Sequence, residues 1–207
     1  MRTRSTLAIV GLAAALVMAL AVGSASANHL SLSHGNLNRA IWNPLEFRGG
    51  FGTVKCPVTL EQSFHSVTIS KVVGALIGYV TGATVGTCTQ GSATVLTATL
   101  PWHIQYGGFL GSLPRFTGVK ELLIGASFQI REPVFGVTCL ARSTTTNPSV
   151  GIAEEITWEA GGNGIIRTLK AENGASIPCG SFSGRFEGVA RVTESPGGAT
   201  NVLIRLI

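Results

Sequence analysis

The sequence predicts an all-β protein, a single antiparallel β-sandwich or barrel after an N-terminal signal helix, with two disulfides. Three observations carry this expectation. Apolar residues recur with period two over most of the chain. Clusters of Gly, Pro, Ser and Asn separate the runs. Four cysteines lie downstream of an export signal.

That signal is tripartite. Arg2 and Arg4 open the chain, an apolar run covers Leu7 to Val22, and Ala25-Ser26-Ala27 places small residues where a signal peptidase reads. The run falls short of the roughly 20 residues that span a bilayer. Arg2 and Arg4 are not adjacent, so a twin-arginine signal is incomplete, and no Cys follows the run to take a lipid. Residues 1–27 are therefore assigned to a cleaved signal peptide, and 28–207 to one β-rich domain. The expected product is secreted, with no membrane anchor after cleavage.

Fifteen Lys and Arg face ten acidic residues, and the formal charge is +5. Two Arg leave with the leader, which lowers the mature charge to +3. All ten acids are Glu, so EF-hand loops, aspartic dyads and Ser-His-Asp triads are excluded. The cations are scattered and lack interleaved aromatics, which argues against a nucleic-acid partner.

Cys56, Cys88, Cys139 and Cys179 all survive cleavage, and an even count in an exported chain reads as two disulfides. Of the three connectivities, Cys56–Cys88 with Cys139–Cys179 is preferred, and the other two stay open. There is no CxxC and no Cys-His cluster, so neither a metal nor another cofactor is expected.

The first long strand turns Val54, Cys56, Val58, Leu60 and Phe64 inward. Residues 94–106 read as one half-buried strand, with Thr94, Leu96, Trp102, Ile104 and Tyr106 on its apolar face. A Gly-rich connection leads to an antiparallel neighbour in which Leu122, Ile124, Ala126, Phe128 and Ile130 share a face. Val137 and Cys139 share a face, as do Ile152, Ile156 and Trp158. Phe186, Ala190 and Val192 precede the turn Ser195-Pro196-Gly197-Gly198, and Val202, Ile204 and Leu206 form a terminal strand. Asn173-Gly174 signals a hairpin turn, and residues 159–164 another reversal. Ser70 to Val80 fits either a helical face or a strand pair.

Several motifs fail. Gly50-Phe51-Gly52 does not continue into a dinucleotide fingerprint. Gly180-Ser181-Phe182-Ser183-Gly184 has Phe where a nucleophile elbow needs Ser. Residues 113–118 hold one residue too many for a wall-sorting signal. Asn147-Pro148-Ser149 has Pro in the forbidden sequon position. His29 and His34 are too isolated to make a metal site.

Glu61, Ser63 and His65 have the residue types of nucleophilic catalysis and share one strand face. Their spacing, about 6.5–7 Å between same-face neighbours, is too wide for a catalytic pair. No catalytic residue is therefore assigned. His103 lies on a polar face with Thr99 and Gln105. It is the candidate ligand-binding residue, with Ser127 or Gln129 supplied by the adjacent strand; the alternative is simple exposure. Trp42, Trp102 and Trp158 are assigned to the core.

The segments Cys56-Pro57-Val58-Thr59-Leu60-Glu61, Leu76-Ile77-Gly78-Tyr79-Val80 and Leu100-Pro101-Trp102-His103-Ile104-Gln105-Tyr106 resemble those of small exported β-rich proteins from high-GC Gram-positive bacteria. The resemblance covers most of the mature chain. It implies export and a β-rich domain, and no activity.

The favoured function is non-catalytic: binding a cell-surface or extracellular ligand, or a structural role there. A small-molecule or lipid-binding β-barrel is the alternative, and an exported hydrolase with a loop-assembled site a further one. An outer-membrane barrel lacks its aromatic girdles.

Overall fold

The computed structural model describes residues 29–32, 37–50, 52–65, 68–158, 164–166, 168–171, 174, 176–179, 183–196 and 202–206, with backbone only at 150–158, 203, 205 and 206. The strands among them are β1 His29–Leu32, β2 Leu37–Gly49, β3 Gly52–Phe64, β4 Thr68–Ser70, β5 Leu76–Val85, β6 Ser92–Val95, β7 Trp102–Leu110 and β8 Gly118–Ile124. There follow β9 Ser127–Arg131, β10 Thr138–Arg142, β11 Ser149–Trp158, β12 Gly164–Ile166, β13 Thr168–Ala171, β14 Gly184–Glu194 and β15 Leu203–Leu206. The chain is all-β, as predicted.

Of the two predicted architectures, the barrel is observed. Strands β13-β14-β2-β3-β5-β7-β8-β11 pair antiparallel in that order, and β11 returns to β13 through Gly151↔Ala171 and Ile152↔Lys170. These eight strands thus close on one another as a barrel. Beyond the closure β11 also pairs with β12, and the sheet continues through β15 and β1 to β4. Strands β10-β9-β6 form a separate three-stranded sheet.

Alternation fixes the register. Val54, Cys56, Val58, Leu60 and Phe64 are buried along β3, while Lys55 and Glu61 point outward between them. Burying one such apolar side chain contributes roughly 1.5–3 kcal/mol, whereas a one-residue slip would carry Lys55 and Glu61 inside. Long β2 and β14 need a correction midway, because Pro44 has no N–H for a ladder. The register shifts between Trp42 and Leu45 on β2 and between Glu187 and Ala190 on β14. These bulges restore the inward phase beyond them.

Three segments differ from the sequence reading. The expected strand over 94–106 is broken: β6 ends at Val95, a 3₁₀ turn spans Thr97–Thr99, and β7 starts at Trp102. Pro101 cannot donate to a ladder, and the turn has its own task. Thr99 Oγ1 donates to the Leu96 carbonyl (2.7 Å) and accepts from Trp102 Nε1 (2.8 Å), which satisfies a buried indole. The expected strand over 122–130 is also broken, at Gly125 (φ +92). The kink puts 118–124 in the barrel and 127–131 in the three-stranded sheet, and it resets the alternation. Leu122 and Ile124 lie on the outer side, and the inward residues of β8 are Val119, Glu121 and Leu123. Finally, 70–80 holds no helix: a turn over Val72–Gly74 leads into β5.

The three-stranded sheet packs against the barrel through Phe128 of β9. The Phe128 ring lies 5.4 Å from Phe47, 5.4 Å from Trp102 and 6.3 Å from Phe186, which come from β2, β7 and β14. Entry into β6 needs Gly91 (φ +67), because a Cβ there would sit 2.3 Å from the Arg131 carbonyl oxygen. Both preferred disulfides form. Cys56–Cys88 joins β3 to the segment after β5, and Cys139–Cys179 joins β10 to the segment between β13 and β14.

The inward faces of Phe186, Ala190, Val192, Val202 and Ile204 are as read from the sequence, and Trp42 and Trp102 are core residues. The signal peptide, Asn173 and the side chains of Ile152, Ile156, Trp158 and Leu206 lie outside the described residues.

Candidate functional site

The barrel interior is apolar, with a small set of polar side chains placed against the rule that buried polar groups are paired. Gln62 of β3 continues the inward row of Val58 and Leu60 and is 4% exposed. Glu121 is the inward residue at the centre of β8, in register between Tyr106 of β7 and Gly151 of β11. Ser149 starts β11 opposite Leu123. Among the described residues, Gln62 Oε1, Ser149 Oγ and Trp42 Nε1 have no hydrogen-bond partner. Leaving a buried polar group unpaired costs about 1–3 kcal/mol, so three such atoms are a large outlay for a barrel that apolar residues would fill equally well.

These residues surround one cavity. It measures about 50 Å³ and is lined by Gln62, Glu121 and Ser149, with Trp42, Phe128 and Phe186 among its apolar walls. Lys170, which is exposed, and Ala171, half-buried, stand at its rim. The rim is on β13, at the closing seam, where β11 and β13 share only two register pairs. Asn38, 1% exposed, neighbours Gln62 in register, and neither amide atom of its side chain is paired among the described residues.

Burial dominates the electrostatics. Removal from water disfavours the carboxylate and pushes the Glu121 carboxyl up from 4.5 to about 7. Burial likewise raises the Tyr106 phenol. Near neutral pH the cavity therefore holds a carboxyl poised between its neutral and charged forms, beside acceptor oxygens and aromatic walls.

The residues chosen from the sequence are dispersed. His103 is exposed on the outer face of β7, where it meets Tyr79 edge-on at 5.5 Å. Ser127 is buried, and its hydroxyl donates to the Gly125 carbonyl (3.1 Å), so it is not available as a surface ligand group. Gln129 is exposed, but in the three-stranded sheet between Thr94 and Leu140. The kink at Gly125 separates it from the strand that neighbours His103, which is β8. Glu61 and Ser63 share the outer face of β3, and His65 follows just past its end. Glu61 there accepts from Arg39 Nε (2.6 Å) and Ser195 Oγ (2.8 Å), and His65 stacks on Tyr79 at 4.7 Å.

Elsewhere on the outer surface, charged side chains pair with one another. Glu46 receives Lys55 Nζ (2.9 Å) and an Arg48 nitrogen (2.5 Å), and these two partners hold its carboxyl below the usual range. Arg48 also reaches Glu187 (3.3 Å), which Arg185 contacts in turn. Such exposed pairs contribute little stability. Among the described residues, no cluster of three or more His, Cys or Glu is placed to hold a metal ion, and no helix is long and apolar enough to cross a membrane.

One buried carboxylate has a structural task. Glu132 follows β9, and its oxygens accept backbone N–H groups of Phe135 (2.6 Å), Val134 (2.8 Å) and Val137 (3.0 Å). Burial opposes its ionisation, but those donors, with Gly136, outweigh it and hold the carboxyl low. The loop it organises presents Val134 and Phe135, 71% and 75% exposed. Glu132→Ala should accelerate amide exchange at Val134, Phe135 and Val137 roughly ten- to a hundredfold. Unchanged exchange would show that the loop orders without the carboxylate.

Comparison of the chain with protein-family models, with curated proteins and with solved structures finds no match.

Proposed function

We propose that the chain is an exported, non-catalytic binding protein whose closed barrel takes a small ligand into its interior. The observation that carries this reading is the set of unpartnered polar atoms on Gln62, Ser149 and Trp42, residues that line one cavity. A barrel needs no polar interior for stability, so a polar interior is a sign of something bound there. The two disulfides agree with an oxidising compartment, and so does the leader-like start.

Cavity size decides between ligands. Sites for drug-sized or lipid molecules run to about 300–1,000 Å³. This cavity, at about 50 Å³, has room for roughly four water positions or a molecule of a few heavy atoms. That favours a small polar ligand over an acyl chain.

The test is an NMR titration of the folded protein with small fragments such as acetamide, methanol, methylammonium and acetate. At least one should give saturable shifts centred on Trp42, Gln62, Glu121 and Phe186. Shifts confined to the outer face, or none with any fragment, would contradict an interior site.

A further inference from the structure

We infer that the ligand of the barrel interior is a small organic ammonium ion, held by Glu121 with help from Gln62 and Ser149; the inference rests on the interior site proposed above. Three features of the cavity point to a cation. First, its deeply placed polar atoms are mainly acceptors. Gln62 Oε1 is unpaired and can only accept, an ionised Glu121 carboxylate can only accept, and the unpaired Ser149 hydroxyl can turn a lone pair inward. A ligand bringing several N–H donors satisfies all three, whereas an anion satisfies at most the serine and Trp42 Nε1 and would face the Glu121 carboxylate.

Second, the walls suit a cation. Trp42, Phe128 and Phe186 line the cavity, and aromatic faces attract ammonium groups more strongly when water is excluded. Third, Glu121 lines the cavity at 5% exposure, and burial disfavours its charged form. An incoming cation offsets that penalty inside the cavity. Among the described residues, two other titratable groups stand near it. Tyr106 of β7 is neutral near pH 7, and Lys170 of β13 lies exposed at the rim. Lys170 is itself engaged in an interaction, and water at the rim screens its charge.

The volume sets the size. Space for about four water positions admits an ammonium with a short alkyl group and excludes long polyamines. Methylammonium is therefore the probe, with acetamide as its uncharged counterpart and acetate as the anion.

The experiment is an NMR titration with these three probes at pH 5.5 and pH 8, on the intact chain with both disulfides formed. Methylammonium should bind at least tenfold more tightly at pH 8 than at pH 5.5, because the carboxylate is the form that holds it. It should outcompete acetamide and acetate at pH 8. Glu121→Gln should remove the pH dependence and weaken methylammonium at least tenfold at pH 8. If that variant fails to fold, the wild-type pH dependence decides alone. Equal binding of acetamide and methylammonium, or preferred binding of acetate, would overturn the cation while leaving an interior site standing. No binding by any probe would overturn both.

Discussion

Glu121→Gln should make the protein more stable at pH 8 than the wild type, by about 3 kcal/mol, and should make little difference near pH 4. The carboxyl is raised from 4.5 to about 7 by burial. The folded chain therefore holds its proton more tightly than the unfolded chain between those two values. Stability attributable to this group is complete below pH 4.5, falls as pH rises through the interval, and is constant above about 7. At about 1.36 kcal/mol per pH unit between the two values, the loss is roughly 3 kcal/mol. Glutamine keeps the shape without the proton equilibrium. Urea unfolding of both proteins between pH 4 and pH 8 isolates this contribution. Glu46 and Glu132 are held low and act in the opposite sense, and they cancel in the difference. A constant difference across that range would show that the Glu121 carboxyl is not isolated from water.

Replacing Cys139 and Cys179 together by Ala should lower stability by about 4 kcal/mol, the loop-closure entropy released when a loop of 40 residues is no longer crosslinked. The position adds a second consequence. This bond ties the three-stranded sheet to the segment between β13 and β14, beside the barrel end that Phe128 enters. Without it, the β9–β10 pair should open locally, exposing Phe128 and raising the binding of a hydrophobic dye before the barrel unfolds. Replacing Cys56 and Cys88 releases a loop of similar size, 32 residues, but within the wall next to β3. It should cost a similar amount without that early exposure. Identical dye behaviour of the two variants would contradict a special role of the second bond in holding the three-stranded sheet.

Much of this was legible in the sequence. The inward row of β3 could be read residue by residue, and Gln62 stands in it as a polar residue in an apolar phase. That departure from alternation was the available sign of a polar interior. Glu121 was hidden by a phase error. Treating 122–130 as one strand made Leu122 and Ile124 the inward residues, which turned Glu121 outward only because the kink at Gly125 was not counted. The same kink undid the grouping of His103 with Ser127 and Gln129. Ser149 and Trp42 gave no signal of their own, since a strand-leading serine and a core tryptophan are common. Barrel closure was beyond local pattern, because it depends on β11 meeting β13 through two residue pairs. Long-range pairing of this kind leaves no periodic mark. The disulfide preference, by contrast, matched the structure, and the two bonds join segments that the barrel and the three-stranded sheet bring together.

The central claim is that the barrel encloses a carboxyl away from water for the use of a ligand. The most direct test is a ¹³C NMR titration of the Glu121 side chain in the ligand-free protein. The account predicts a midpoint at about 7. A midpoint near 4.5 would place the carboxyl in water and remove the basis for an enclosed binding site.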